Sequence, residues 1–423
     1  MTKVGFIYPP SPFLINQKAF PPLGILYLSA YLRREGVNVE VIDLTNKESC
    51  LEEVLQNLNF SVVGLSSTTP QYPLVKKIKD IIKRNNPSTV IVIGGAHASS
   101  NIQRCIDDVF DVVVVGEGER ALLDIIHKHE RHEEIQKVIR FPYIENLDSV
   151  PFPARDMIKL HDYGYEVDGG KATTIITSRG CPYECAFCSK DVWSRGVRFH
   201  GIEYVVEEIR LLSEKYGFGH LLFLDDLFTM NKKRLLAICE RIKNLGLKWR
   251  CYVRANNMTK EMLTVMKEAG CVEVGVGVES GSQKILDVVD KGTKVEDNTM
   301  LVLDCKEVGI AVNVFLMIGL PGETYETVEE TKRWMEKVRP NKFGFNIFAP
   351  YSGTPIYNNI NQYDLMLLPM PDEKSWVKGK DGGHQAYVET NELKAKEILR
   401  LFKELFQYYT QLCSWKPGIG TVK

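Results

Sequence analysis

Three of the ten cysteines in this chain of 423 residues are clustered, and their spacing suits metal chemistry. The stretch SRGCPYECAFCSK places Cys181, Cys185 and Cys188 in a C-x3-C-x2-C pattern. Thiolates are the ligands of iron–sulfur clusters, and three cysteines on one short loop can reach three corners of a [4Fe-4S] cube. The fourth iron then lacks a protein ligand and can bind a substrate, as catalytic metal sites with an open position do.

A structural zinc site is the main alternative for these cysteines. Such sites usually have four protein ligands, often as two separated pairs, and no second cysteine pair follows here. His200, twelve residues after Cys188, is the nearest candidate for a fourth ligand. The other cysteines stand singly in apolar or amphipathic segments and are predicted to be core thiols: Cys50, Cys105, Cys239, Cys251, Cys271, Cys305 and Cys413.

The cysteine loop follows TTIITS, the first of six predicted strands between residues 171 and 350. The others are HLLFLDD, KWRCYVR, CVEVGVGVES, AVNVFLMIG and KFGFNIFAP, and each strand except the last is followed by a helical pattern. Six such units predict a partial (β/α)6 barrel, whose chemistry lies at the carboxyl ends of its strands. Charged residues at such strand ends are costly to bury without partners, which favours a site over chance.

Residues 1–140 show the same alternation of β-branched runs and helical patterns, which predicts an α/β domain with a doubly wound parallel sheet. Ligands of such sheets bind at the carboxyl ends of the strands. The turns SSTTPQ, GGAH and GEGE follow three of these strands and are rich in small residues, which let a ligand approach the backbone. Glycines can also serve only to close a turn, but three such turns at one edge favour a binding site.

The chain is therefore predicted to have four segments. The first domain covers residues 1–140, a proline-containing linker covers 141–170, and the barrel covers 171–350. A small C-terminal region, 351–423, is expected to help enclose a substrate and to end in the amphipathic helix NELKAKEILRLFKELFQYYTQL, packed on the barrel.

The charge balance excludes some classes of partner. The 53 basic and 54 acidic side chains leave a net charge of −1, so no basic field indicates nucleic acid binding. No apolar run approaches the roughly 18 residues that span a bilayer, and the N-terminus lacks the apolar core of a signal peptide. We expect a cytoplasmic protein without a membrane span.

The cysteine motif resembles the CxxxCxΦC signature of radical S-adenosylmethionine (SAM) enzymes, in which the open iron binds SAM. The six-unit partial barrel agrees with this family. The resemblance implies that Phe187 lies beside the SAM adenine. It also implies further SAM contacts at the strand ends, namely Asp225, Asp226, Arg254, Glu279 and Ser280. The two aspartates could instead cap the helix that begins near Asn231.

The first domain resembles the cobalamin-binding, flavodoxin-like domain that precedes the barrel in one subclass of these enzymes. This resemblance rests on PPLGILYLSAYLRREG, GGAHAS and VVVVGEGERAL. The runs NLDSVPFPAR, FLDDLFTMNKKR and ESGSQKILD fit the same subclass, so the match covers about residues 1 to 350. The D-x-H-x-x-G loop that gives cobalt a histidine elsewhere is absent, so we expect base-off cobalamin. The resemblance implies cobalamin contacts in the three turns, at Ser66, Thr68, Pro70, Gln71, Gly94, Gly95, His97, Gly116, Glu117, Gly118 and Glu119.

This resemblance implies a methyltransferase in which one SAM methylates cobalamin and a second gives the radical that activates a substrate carbon. The substrate can be a small molecule, a lipid or a peptide, and flavodoxin or ferredoxin is the expected electron donor. One alternative is a cyclase or carbon–carbon bond-forming enzyme that transfers no methyl group. The other is a non-catalytic Fe–S electron carrier.

Overall fold

The first domain is a parallel sheet whose strands are continuous apolar runs, such as VVGLS and VVVV, covered by helices on both faces. The computed structural model describes residues 2–193, 196–369 and 384–413. The six strands pair in the order β2-β1-β3-β4-β5-β6, all parallel, which is the flavodoxin-like order. The predicted doubly wound sheet is confirmed. Its strands are Lys3–Tyr8 (β1), Asn38–Asp43 (β2), Val62–Ser66 (β3), Val90–Gly94 (β4), Val112–Val115 (β5) and Val138–Arg140 (β6).

The helices of this domain follow the strands they cover. Residues of α1 and α6 bury one face of the sheet, and residues of α2, α3 and α5 bury the other. The helices are Leu23–Arg34 (α1), Leu51–Leu55 (α2), Tyr72–Asn85 (α3), Ala96–Ser100 (α4), Ile102–Asp107 (α5) and Glu119–Glu130 (α6).

The second sheet has seven strands in the order β15-β14-β13-β12-β11-β8-β7. All six predicted barrel strands are present and parallel, which confirms the partial barrel, and a short antiparallel strand adds to one edge. The strands are Tyr165–Val167 (β7), Gly170–Ile175 (β8), His220–Phe223 (β11), Lys248–Val253 (β12), Cys271–Glu279 (β13), Ala311–Ile318 (β14) and Lys342–Ile347 (β15). Between β8 and β11, Ser178–Arg179 (β9) pairs antiparallel with Arg198–Phe199 (β10).

Helices cover the outer face of this sheet, and α14 packs on β15 as expected. The ring of Phe402 stacks on Phe345 at 5.1 Å, and Tyr409 meets Phe343 edge-on at 5.7 Å. A two-stranded ladder, Met366–Leu367 (β16) with Val388–Glu389 (β17), precedes α14. The helices are Ile202–Arg210 (α7), Lys232–Ile242 (α8), Lys260–Glu268 (α9), Gln283–Val288 (α10), Val295–Val308 (α11), Tyr325–Val338 (α12), Pro355–Asn358 (α13) and Ala395–Leu412 (α14).

The linker forms hydrogen bonds with both domains. The Ala154 amide donates to the carbonyl of Leu26 at 3.0 Å, and the buried guanidinium of Arg155 donates to Glu208 and to the carbonyl of Thr174, both at 2.8 Å. These contacts fix the path of the chain between the sheets. Parts of the predicted C-terminal region, residues 370–383 and 414–423, lie outside the described residues. In the described ranges, no helix is both long and apolar enough to cross a bilayer.

Candidate active site

The three clustered cysteines line one side of a cavity of about 520 Å³ at the carboxyl ends of the barrel strands. Cys185 is buried, Cys181 is partly buried and Cys188 is exposed. Two backbone bonds hold their loop: the Ala186 amide donates to Val289, and the Ala186 carbonyl accepts from Ile356. The loop is therefore fixed between the segment after β13 and the helix α13.

Gly180 allows the turn into the cysteine loop. Its φ is +95°, a conformation that favours glycine, and a side chain there would meet the carbonyls of Trp193 and Gly196. The chain therefore passes from β9 to Cys181 in close contact with the backbone of Trp193 and Gly196. Burial raises the pKa of the Cys181 thiol, whereas a cation bound to its sulfur would favour the ionised form.

Four of the six residues predicted to contact SAM line this cavity, namely Phe187, Asp226, Arg254 and Glu279. The two others are buried and do not line it. Both carboxylate oxygens of Asp225 accept hydrogen bonds from Thr177 and Ser178, at 2.6 to 2.7 Å, and Ser280 bonds to Thr331 at 3.1 Å. Neither aspartate caps α8, because the side chain of Asn231 does so.

Glu279 has a strained backbone. Its φ is +64°, and the pairing between β13 and β14 shifts register between Gly277 and Glu279. This bend turns the Glu279 carboxylate into the cavity, where the ammonium of Lys291 lies 2.7 Å away. Both side chains are about nine-tenths buried, so they form a desolvated ion pair. A side chain at Gly277 would collide with this pair.

A second cavity of about 270 Å³ opens at the carboxyl edge of the first sheet. Its inner part is apolar and lies between the sheet and the helices α1 and α6. Side chains that line this part are Phe6, Ile25, Leu28, Val92, Val114 and Leu122. The predicted residues that line the cavity are Ser66, Gly94, Gly95, Gly116, Glu117, Gly118 and Glu119.

The other predicted cobalamin residues are placed differently. Thr68 and Gln71 line a smaller neighbouring pocket, and Pro70 lies in the same helical turn, Thr69–Gln71. The His97 ring packs away from the cavity: it stacks on Tyr72 at 3.8 Å, and its Nδ1 lies 3.2 Å from the Thr69 hydroxyl. Burial lowers the pKa of His97 to about 4.

The two cavities are adjacent, because Ala96, Val192 and Trp193 line both of them. Trp193 and Val192 belong to the segment just after the cysteine loop, and Ala96 begins α4. The carboxyl edges of the two sheets therefore meet, as cofactors that share a reaction would require.

The comparison with known proteins agrees with this architecture. The model of the radical SAM superfamily matches residues 175–335, and that of the B12 binding domain matches residues 17–126. An uncharacterized methyltransferase of Pyrococcus horikoshii is 30% identical over 390 residues, which cover 86% of this chain and 84% of that protein. The chain belongs to the cobalamin-binding radical SAM family.

Other proteins similar to this chain differ in activity. An anaerobic magnesium-protoporphyrin IX monomethyl ester cyclase of Cereibacter sphaeroides is 28% identical over 81% of this chain, which spans 60% of the cyclase. Among solved structures, the radical SAM methyltransferase TsrM of Kitasatospora setae has the same fold, with a TM-score of 0.76 and 19% identity over 96% of this chain and 91% of TsrM. Because the family consists of enzymes, the non-catalytic electron carrier is set aside.

The residues fit the cofactors of this radical SAM family. Three thiols that converge on one cavity suit a cubane with an open iron. In the described part of the chain, no three His, Cys, Asp or Glu side chains are close enough to hold a single ion. His200, the candidate zinc ligand, instead contacts Asp148 and stacks on Tyr204. The apolar depth of the second cavity suits the aromatic base of base-off cobalamin.

Several lining residues of this radical SAM enzyme were not predicted from sequence. Lys291 follows a short helix without any motif of its own, and Trp193 and Val192 lie in an irregular loop. Arg179 could have been noticed, because it is a charged residue two positions before the first cysteine. Its guanidinium donates to Glu117 and Glu119, both at 2.8 Å, so these two predicted cobalamin contacts bind the barrel domain.

Proposed function

We propose that this protein transfers a methyl group to an unactivated carbon of an organic substrate. The observation that carries this proposal is the shared wall of Ala96, Val192 and Trp193, which brings the cavity of the first domain next to the cysteine-lined cavity. A reduced cluster with SAM supplies a 5′-deoxyadenosyl radical when bound, and cobalamin supplies the methyl group. The remaining steps depend on how this chain binds and orients the reactants.

The cavity of the barrel has the side chains that SAM needs. We assign Cys181, Cys185 and Cys188 to the cluster, and Phe187 to the adenine through its apolar ring. The charged side chains of Asp226, Arg254, Glu279 and Lys291 can bind the amino, carboxylate and ribose groups of SAM. Asp225 and Ser280 are assigned a supporting role, because their side chains bond to Thr177 and Thr331 and do not line the cavity.

The first domain is assigned to cobalamin. The backbone at Gly94, Gly95, Gly116 and Gly118 leaves room for a large planar ligand at the sheet edge, and the apolar side chains beneath it exclude water from its base. Thr68, in the neighbouring pocket, is proposed to meet polar groups at the rim of the ligand. The buried Gln71 side chain bonds to Thr68 and Ser11 and would support this turn.

The substrate has to reach the shared wall, because the radical and the methyl group are both used there. Trp193 is only partly buried at this place, so it can contact an incoming substrate. A small molecule, a lipid or a peptide remains the proposed substrate class. An external electron donor of the flavodoxin or ferredoxin type is proposed to approach on the side of the exposed Cys188.

A cyclase is the second candidate, because the magnesium-protoporphyrin cyclases are relatives over four-fifths of this chain. The two functions differ in the fate of SAM. Methyl transfer from SAM by way of cobalamin releases S-adenosylhomocysteine, whereas ring closure by the radical alone releases only 5′-deoxyadenosine and methionine.

The test is a product analysis of the anaerobically reconstituted protein with reductant, SAM and hydroxocobalamin. Methyl transfer predicts that corrin absorbance stays with the protein and that both S-adenosylhomocysteine and 5′-deoxyadenosine form. A protein that forms 5′-deoxyadenosine but releases all corrin on gel filtration would contradict the methyltransferase proposal. Deoxyadenosine with bound corrin and no S-adenosylhomocysteine would instead support the cyclase.

A further inference from the structure

Arg254 contacts a cysteine of the cluster site directly. It follows β12, and its Nη1 lies 3.5 Å from the sulfur of Cys185 in hydrogen-bonding geometry. Both residues are buried, with 8% and 7% of their surfaces exposed. The guanidinium therefore meets this sulfur with little screening by solvent.

Two further contacts hold the guanidinium in this orientation. It lies over the ring of Tyr183, 3.7 Å from the centroid, and its Nε donates to the Asn256 side chain at 3.1 Å. Tyr183 lies between Cys181 and Cys185 in the loop, and its hydroxyl donates to Asn257 at 2.8 Å. The cysteine loop and the end of β12 thus bind each other through Arg254, which leaves the arginine few alternative rotamers.

We propose that Arg254 is a positioning residue that raises the reduction potential of the cluster by donating a hydrogen bond to the Cys185 sulfur. On reduction the cluster accepts one electron from the external donor, and no bond forms or breaks. The added negative charge spreads onto the cysteine sulfurs, so a cation bonded to one sulfur stabilises the reduced state more than the oxidised state. Hydrogen bonds to the sulfurs are among the known determinants of cluster potential.

This proposal differs from a simple SAM contact. A side chain that only binds the SAM carboxylate would leave the potential of the SAM-free cluster unchanged. The inference rests on the cluster at the three cysteines and is independent of methyl transfer. Measurements without SAM, cobalamin or substrate therefore test it separately from the proposed function.

The experiment compares the unsubstituted protein with Arg254→Met and Arg254→Lys after anaerobic reconstitution and removal of SAM. Iron content and absorbance establish cluster loading, and EPR during a dithionite titration gives the midpoint potential. We expect Arg254→Met to disfavour reduction at least tenfold, which is about 59 mV for one electron. Arg254→Lys keeps the charge without the planar donor and should fall between the two.

A pair of tyrosine variants extends the test to proteins in which Arg254 is retained. Tyr183→Leu removes the ring that supports the guanidinium, whereas Tyr183→Phe keeps the ring and removes only its hydroxyl. Tyr183→Leu should shift the potential in the same direction as Arg254→Met, and Tyr183→Phe should leave it unchanged. Pulsed EPR in D2O should show weaker coupling to exchangeable protons near the cluster in Arg254→Met, because the guanidinium N–H groups are lost.

Two results would overturn the proposal. The first is an Arg254→Met protein that holds a full cluster with an unchanged reduction potential. If this variant also binds SAM more weakly, Arg254 is a SAM contact alone. The second applies if Arg254→Met does not hold a cluster. In that case, equal potentials in Tyr183→Leu and Tyr183→Phe would show that the orientation of the guanidinium does not affect reduction.

Discussion

Arg179 donates to Glu117 across the boundary between the two sheets, with 2.8 Å between Nη1 and Oε1. Arg179 lies two residues before Cys181, and Glu117 lies in the turn after β5, at the rim of the first-domain cavity. A second arginine, Arg198, reaches the same carboxylate at 2.9 Å. The cysteine loop and the proposed cobalamin cavity are therefore fixed to each other by buried charges.

Replacement of Arg179 by methionine should destabilise the protein strongly. The change leaves Glu119 without its arginine and Glu117 with one arginine instead of two. An unpaired buried charge costs about 3–5 kcal/mol. Urea unfolding measures this loss. The matched control is Arg33→Met, because the ion pair of Arg33 and Asp156 also joins the first domain to the linker but is half exposed. The free energy of unfolding should fall by only about 0–1 kcal/mol in this variant. Equal losses in the two variants would contradict the role of burial.

Lys291→Met should weaken SAM binding at least about tenfold, or about 1.4 kcal/mol. The substitution removes the ammonium that lies 2.7 Å from the buried carboxylate of Glu279. The carboxylate is then uncompensated and would repel the SAM carboxylate. Equilibrium dialysis with the reconstituted protein measures the affinity. Lys284→Met, on the exposed face of α10, should bind SAM as the unsubstituted protein does. Unchanged affinity in Lys291→Met would remove Lys291 from the proposed site.

Gly94→Val should abolish cobalamin retention without unfolding the protein. A Cβ at Gly94 meets only Val114, at 3.8 Å, so the backbone tolerates a side chain, but its methyl groups would occupy the cavity. Corrin absorbance after gel filtration measures retention, and 5′-deoxyadenosine formation should persist. Gly219→Ala, where nothing lies within 4 Å, is a control for a glycine substitution outside the site. Full retention in Gly94→Val would place cobalamin elsewhere.

The strands could be predicted because each is a short apolar run with a helical pattern beside it. The positions of Cys181, Asp226 and Glu279 followed from the rule that parallel strands meet at their carboxyl ends. This rule places residues at an edge but does not orient their side chains. Asp225 and Asp226 are adjacent in sequence, yet only Asp226 lines the cavity, because Asp225 is taken up by Thr177 and Ser178.

Contacts between distant segments were beyond the reach of sequence patterns. Glu117 and Glu119 were predicted to contact a ligand, and their ion pairs with Arg179 join residues about sixty positions apart. Lys291 likewise pairs with Glu279 in the cavity only because Glu279 has a positive φ, and no pattern of residue types predicted this φ. His97 was predicted from its place in GGAHAS, but stacking on Tyr72 decides its orientation.

His97 should make the stability of the protein depend on pH between about 4 and 6.5. Burial lowers its pKa from 6.5 to about 4 in the folded state, so over this range the unfolded chain binds a proton that the folded chain does not. The stabilisation is therefore complete above pH 6.5 and is lost as the pH falls toward 4. One such histidine contributes about 1.4 kcal/mol per pH unit.

The variant His97→Gln tests this dependence by urea unfolding at pH 7 and pH 5. It should be less stable than the unsubstituted protein at pH 7, because the stack on Tyr72 is lost. Its further loss of stability from pH 7 to pH 5 should be smaller by about 2 kcal/mol. His127→Gln, at an exposed position of α6, should keep the pH dependence of the unsubstituted protein. Parallel stability curves for His97→Gln and the unsubstituted protein would mean that His97 is protonated at the same pH in the folded and unfolded states.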